Sequence, residues 1–180
     1  MLCYDLERLD ALLIDGRSGA GKTELAERIS HRLRAIGREP QLLRVEHLYP
    51  GWDGLAEGSR ALAAALDEGG YRRYDWRAGA FAEHVPVTRH RPLIIEGCGS
   101  LTAENLSAAR RWAERAGGSG RSASVRGIWI ECEAETRRSR ALARDGEAYA
   151  PHWDRWAAQE EKLYGEHRPW RLADEVLRER

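Results

Sequence analysis

Lysine is nearly missing from this chain: of its 29 basic residues only Lys22 and Lys162 are not arginine, and 29 acidic residues balance them to a formal net charge of zero. A balanced chain has no global field to draw it to a polyanion, which removes the electrostatic argument for a nucleic-acid partner. Cysteine is scarce too. Cys3, Cys98 and Cys132 are odd in number, widely spaced and without paired CxxC or His/Cys ligand spacing, so neither a disulfide framework nor a zinc site is supported. That usage fits a reducing, cytoplasmic setting. Residues 1–10 carry acids and no basic-then-apolar signal segment, and no run approaches the ~18 apolar residues of a membrane span. The expectation is a soluble protein with no membrane partner. A length of 180 residues suits one domain with a real core, so a single unit over 1–180 is expected.

What is present is a strand, a glycine-rich loop and a helix in immediate succession. Ala11-Leu12-Leu13-Ile14 is a continuous apolar run of the kind buried on both faces of a parallel sheet. Gly16-Arg17-Ser18-Gly19-Ala20-Gly21-Lys22-Thr23 follows, and then Leu25, Ala26, Ile29, Leu33 and Ile36 recur at helical spacing, with Gly37 placed as a C-cap. A loop of this composition turns tightly and points successive N–H groups inward at phosphate oxygens, where a Cβ would obstruct. Lys22 would reach the β and γ phosphates of ATP, the Thr23 hydroxyl would ligate Mg2+, and the helix N-terminus would add its partial positive charge.

Further along, residues 42–46 form a second short strand ending in Glu46, and an aromatic loop with Tyr49, Pro50, Gly51, Trp52 and Gly54 follows. A helix is expected over about 59–66, ending at Gly69-Gly70. Residues 71–77 interleave aromatics and charges without clear periodicity, as would suit either a nucleobase or the edge of a core with arginines facing water. A third buried strand, 92–97, ends in Glu96-Gly97, the character of a Walker B element, in which Glu96 would hold Mg2+ through water. A helix over 101–116, a mobile, non-catalytic glycine and serine loop at 117–124, and a strand over 125–131 come next. A helix from Glu133 then aligns Arg137, Arg140 and Arg144 on one face, as a phosphate-facing set or as a solvated face pairing with Glu133 and Glu135. Another helix runs from Pro151 to Gly165, with Trp153 and Trp156 packing it onto the body, and 172–177 reads equally as strand or helix. Strands alternating with helices predict an α/β fold, a doubly wound parallel sheet flanked by helices.

Phosphoryl transfer to an alcohol asks for Mg2+, a base near the acceptor hydroxyl and cations that neutralise charge spreading onto the transferring group. Glu96, Glu46 and the arginines at 137, 140 and 144 can supply these, and arginine's planar fork meets phosphate oxygens in pairs. His47, beside Glu46, is a candidate substrate contact. His31, His84, His90, His152 and His167 lie in polar contexts and are expected at the surface.

In this order the pieces resemble the uridine kinase family of P-loop nucleoside kinases, over roughly residues 12–174. Gly16 to Thr23 matches the phosphate loop. Glu46-His47-Leu48-Tyr49 is similar to that family's segment bearing the base, Tyr74-Asp75-Trp76 to its Tyr-Asp-Phe substrate segment, and Ile95-Glu96-Gly97 to its Glu-Gly after the third strand. Arg137, Arg140 and Arg144-Asp145 resemble an arginine-rich lid helix, giving a lid over about 137–151. The resemblance implies a P-loop NTPase fold of nucleoside and nucleotide kinase type, with ATP and Mg2+ as cofactors. By it, Glu46 would accept the proton of a sugar 5′ hydroxyl, Tyr49, Tyr74 and Trp76 would border the nucleoside, and the lid arginines would close over ATP. Glu46 stands where the family usually has Asp, which moves the base by about 1 Å and admits a different acceptor alcohol. The alternatives are a nucleoside monophosphate, for which Arg72, Arg73 and Arg77 could serve, a small alcohol such as an antibiotic, or a non-catalytic ATP-binding switch.

Overall fold

A computed structural model describes residues 5–117 and 122–179. Cys3 and the middle of the loop expected at 117–124 lie outside the described residues. In chain order the elements are β1 (Ala11–Gly16), α1 (Lys22–Ala35), β2 (Gln41–Arg44), α2 (Leu55–Glu68), β3 (Gly70–Asp75), β4 (Ala80–Pro86), β5 (Leu93–Glu96), α3 (Ala103–Gly117), β6 (Val125–Cys132), α4 (Ala134–Asp145), α5 (Trp153–His167) and β7 (Glu175–Glu179).

Five strands form a parallel sheet in the order β2-β5-β1-β6-β7, so the strand that feeds the phosphate loop is central. Alternation along β1 splits its side chains between two cores. Leu12 and Ile14, with Ile94, Ile128 and Ile130, meet Leu25, Ala26, Ile29 and Leu33 of α1 on one face. Ala11 and Leu13, with Ile95 and Trp129, meet α2, α3 and α5 through Leu62, Leu66, Ala109, Trp112, Leu163 and Tyr164 on the other. Both faces are thereby covered, the condition under which an all-parallel sheet is stable. Each fully buried leucine or isoleucine contributes ~1.5–3 kcal/mol of apolar transfer. The doubly wound architecture expected from the sequence is the one observed.

Several local expectations are corrected. The second strand ends at Arg44, paired with Glu96 at the last rung of the β2–β5 ladder, and with no partner beyond it the chain coils into a 3-10 turn, Val45–Leu48. Glu46 therefore sits in that turn instead of at a strand end. Helix α2 begins at Leu55, ahead of the expected 59, because it accommodates Gly58, a residue that disfavours helix by ~1 kcal/mol. Its reason is contact: a Cβ on Gly58 would lie 2.4 Å from Tyr49 Cδ1. Residues 71–77, which lack periodicity, belong to the antiparallel hairpin β3–β4, whose register shifts between Arg72 and Tyr74. Such a bulge moves following side chains out of alternation, which erases the period-two signal. The ambiguous end of the chain is strand β7, parallel to β6, introduced by Asp174, whose carboxylate accepts the Gly127 N–H at 2.8 Å. Among the described residues no helix is long and apolar enough to cross a membrane.

Candidate active site

The carboxyl ends of β1 and β5 open onto a cavity of about 810 Å³. In an open parallel sheet this is where connections diverge and leave room for a ligand. The loop after β1 forms one wall through Ser18, Gly19, Gly21, Lys22 and Thr23. Gly19 adopts φ +79°, and a Cβ there would stand 2.1 Å from the Arg137 carbonyl oxygen, so both its conformation and its packing against α4 exclude a side chain. Gly21 caps α1 without any side-chain hydrogen bond, which leaves first-turn N–H groups for an anion.

Lys22 is buried, and its Nζ donates to the Gly16 and Arg17 carbonyls at 2.8 and 3.1 Å and to Cys98 Sγ at 3.4 Å. Burial works against its charge, but Cys98, Glu160, Glu96 and Asp15 around it outweigh that and raise its pKa. Thr23 Oγ1 donates to Glu96 Oε1 at 3.4 Å, and Arg44 Nε lies 3.6 Å from the same oxygen. Burial pushes the Glu96 carboxyl upward, against the pull of Lys22. Two hard oxygens converging beside a phosphate loop are too few to hold a metal alone. They fit Mg2+, which keeps water and phosphate oxygens among its six ligands.

Glu46, in its 3-10 turn, also lines the cavity, while its carbonyl accepts Trp76 Nε1–H at 3.3 Å. Tyr49, Trp52, Trp76, Tyr149 and Trp156 complete an aromatic wall. Trp52 is its centre, stacked on Tyr149 and His152 at 5.3 and 4.3 Å between ring centroids and tilted against Trp76 at 4.9 Å. Tyr49 is buried and donates its hydroxyl to the Cys98 carbonyl at 2.7 Å. Arg140, Arg144 and Asp145 border the cavity from α4, with Arg144 in a two-bond fork to Asp145 at 2.9 and 2.7 Å.

The structure thus brings Ser18, Gly19, Gly21, Lys22, Thr23, Glu46, Tyr49, Trp76, Glu96, Arg140 and Arg144 around one space. The remaining expected site residues stand elsewhere. Gly16 and Ala20 form the base of the loop, Ala20 N–H donating to the Arg17 carbonyl at 3.1 Å. Arg17 turns outward to Glu161 at 2.7 Å. Arg137 is buried in the body, where its Nε donates to the Cys132 carbonyl at 3.1 Å and Nη1 to the Ser18 carbonyl at 3.3 Å, so it braces the loop. His47 points away to the Tyr71 hydroxyl at 3.2 Å, and burial lowers its pKa. Tyr74 lies behind Trp76, at 5.4 Å. The Asp75 carboxylate closes the hairpin turn by accepting the Arg77 and Ala78 N–H groups at 2.8 and 3.1 Å.

Trp52, Tyr149 and Trp156 were not assigned to the site from the sequence. The one sequence signal was the density of aromatic residues after Glu46. Trp156 packs as expected and also lines the cavity. His152, expected at the surface, is stacked on Trp52.

The five-stranded order, the loop after the central strand and Glu96 at the end of β5 together give the fold of P-loop kinases. Solved structures agree at the level of fold. A possible uridine kinase from Bacillus stearothermophilus superposes with a TM-score of 0.59 at 17% identity, covering 97% of this chain and 91% of that one. A provisionally assigned fructose transport system kinase from Silicibacter sp. TM1040 gives 0.53 at 20% identity, covering 93% and 89%. No protein-family model matches the sequence, and no curated protein matches it significantly.

Proposed function

We propose that this chain is an ATP- and Mg2+-dependent kinase that transfers the γ-phosphoryl group to a hydroxyl of a nucleoside or related small alcohol. The observation that carries the reading is that Lys22, Thr23 and Glu46 line one cavity together with Glu96, two arginines of α4 and an aromatic wall. The loop N–H groups and Lys22 bind the donor phosphates, and Thr23 with Glu96, through water, holds Mg2+, which when bound offsets charge on the phosphates. Glu46 accepts the acceptor's proton as its oxygen attacks. Arg140 and Arg144 neutralise charge on the equatorial oxygens, with residues about 137–151 acting as a lid. Because Arg137 is tied to the loop, the moving part of that lid begins beyond it.

The aromatic wall supports an acceptor with a flat face, for which Tyr49, Trp52 and Trp76 supply stacking surface. An unphosphorylated acceptor is favoured over a nucleoside monophosphate because none of Arg72, Arg73 and Arg77 lines the cavity, and the first two are engaged elsewhere. Arg72 donates to the Phe81 and Ala82 carbonyls, both at 2.9 Å, and Arg73 pairs with Glu83 at 2.7 Å. Nucleosides, nucleotides and amino alcohols incubated with Mg-ATP should separate these acceptors by ADP release. At least one unphosphorylated alcohol should accelerate release above a Lys22→Ala control. Glu46→Gln should lower kcat by ~10²–10⁴ with ATP affinity kept. No acceleration by any acceptor would sink the kinase reading.

A further inference from the structure

Helix α5 grips both halves of the site with neighbouring residues. Glu160, fully buried, accepts the Ser18 N–H of the phosphate loop at 2.6 Å and the Trp156 indole N–H at 3.2 Å. One residue earlier, Gln159 Nε2 donates to the Trp52 carbonyl at 2.7 Å, and Gln159 Oε1 accepts the Leu55 N–H at 3.4 Å. The same helix repeats the pattern at its flanks. Tyr164 donates its hydroxyl to Asp15, just before the phosphate loop, at 2.8 Å and Glu161 holds Arg17 within it, while Arg155 is paired with Asp53 in the aromatic loop.

The placement is specific. Gln159 takes the main chain on both sides of Asp53 and Gly54, between the indole that centres the aromatic wall and the first residue of α2. A side-chain amide that donates and accepts at once fixes a loop in two directions, and a carboxylate could do only half of that. Consecutive residues of a helix differ by about 100° in direction, so Gln159 and Glu160 address two different loops from one rigid segment. The bonds from Ser18 to Glu160 and from Gln159 to the loop that carries Trp52 form a continuous path between the two segments through α5.

We propose that Gln159 and Glu160 are positioning residues that couple the phosphate loop to the aromatic acceptor wall, so that occupancy of the donor site sets the pose of Trp52. The proposal rests on the kinase reading for its purpose, and its test does not depend on turnover. Backbone amide exchange over residues 52–55 would be followed with and without Mg2+ and a non-hydrolysable ATP analogue. In the unaltered protein the analogue should slow this exchange by at least about fivefold, the low end of typical site-to-site coupling. The response should vanish in Gln159→Ala and survive in Lys162→Ala, an exposed change on the same helix. In acceptor assays Gln159→Ala should raise acceptor KM about 5–50-fold at saturating ATP and, by reciprocity, ATP KM at saturating acceptor, while ATP affinity without acceptor is kept, a pattern that loss of overall stability would not produce. No response in the unaltered protein, or the same response in Gln159→Ala, would overturn the coupling. If the exchange response follows Gln159 while no acceptor turns over, the kinase reading falls and the coupling stands.

Discussion

Glu96 shows how a site residue is placed at a cost to the empty protein. Its carboxyl is buried beside Thr23, and burial holds its proton to higher pH than in an unfolded chain. The folded state therefore binds more protons than the unfolded one between the ordinary value, about 4.5, and the raised value, so stability falls as pH rises through that window. Asp15, raised by burial in the same direction, adds to the slope. Glu96→Gln should remove Glu96's share and stabilise the nucleotide-free protein at neutral pH by ~0.5–2 kcal/mol, read by denaturant unfolding across pH. On the proposed kinase reading, the same change should raise the Mg2+ concentration that ATP turnover requires. Lys22 was legible at this scale because it sits in the contiguous Gly16–Thr23 pattern, and the scarcity of lysine made it conspicuous. Arg137 was misplaced because helical spacing shows which residues share a face and not which one is drawn into the body by the Cys132 and Ser18 carbonyls.

At the scale of elements, the acceptor wall hangs on the packing of the 3-10 turn and its following loop against α2. Gly58 allows Tyr49 to lie directly on the helix, and Tyr49 in turn reaches the Cys98 carbonyl. Gly58→Ala improves helix propensity by ~1 kcal/mol, yet its Cβ at 2.4 Å from Tyr49 Cδ1 forces ring or helix to move. Overpacking of this kind costs ~1–3 kcal/mol, so the net change should be a lower Tm with acceptor KM raised more than ATP KM. If the variant is more stable and kinetically unchanged, the packing account is wrong. The sheet and its flanking helices were readable because continuous apolar runs and 3.6-residue patterns are local. The hairpin was not, since its bulge breaks alternation, and of the aromatic wall only Tyr49 and Trp76 were anticipated, through the family resemblance, while Trp52, Tyr149 and Trp156 join them only in the fold.

Across the whole molecule, donor and acceptor groups differ in how they are built. The donor loop grows from the central strand, held between β5 and β6 and covered on both faces. The proposed acceptor wall is assembled from a loop, a hairpin tip, the segment between α4 and α5, and α5 itself, all outside the five-stranded sheet. The proposed phosphate site was therefore visible as one contiguous motif, and the proposed acceptor site is complete only in the folded chain. Indole placement follows the same division and gives the protein an optical consequence. Of its seven tryptophans, Trp52, Trp76 and Trp156 border the cavity, whereas Trp112 and Trp129 are sealed in the core. Filling the acceptor half should change the intensity of intrinsic emission through the first group and leave the second as an internal standard. Trp52→Phe should remove the largest part of that change. The chain thus reports its own occupancy in light, without a label.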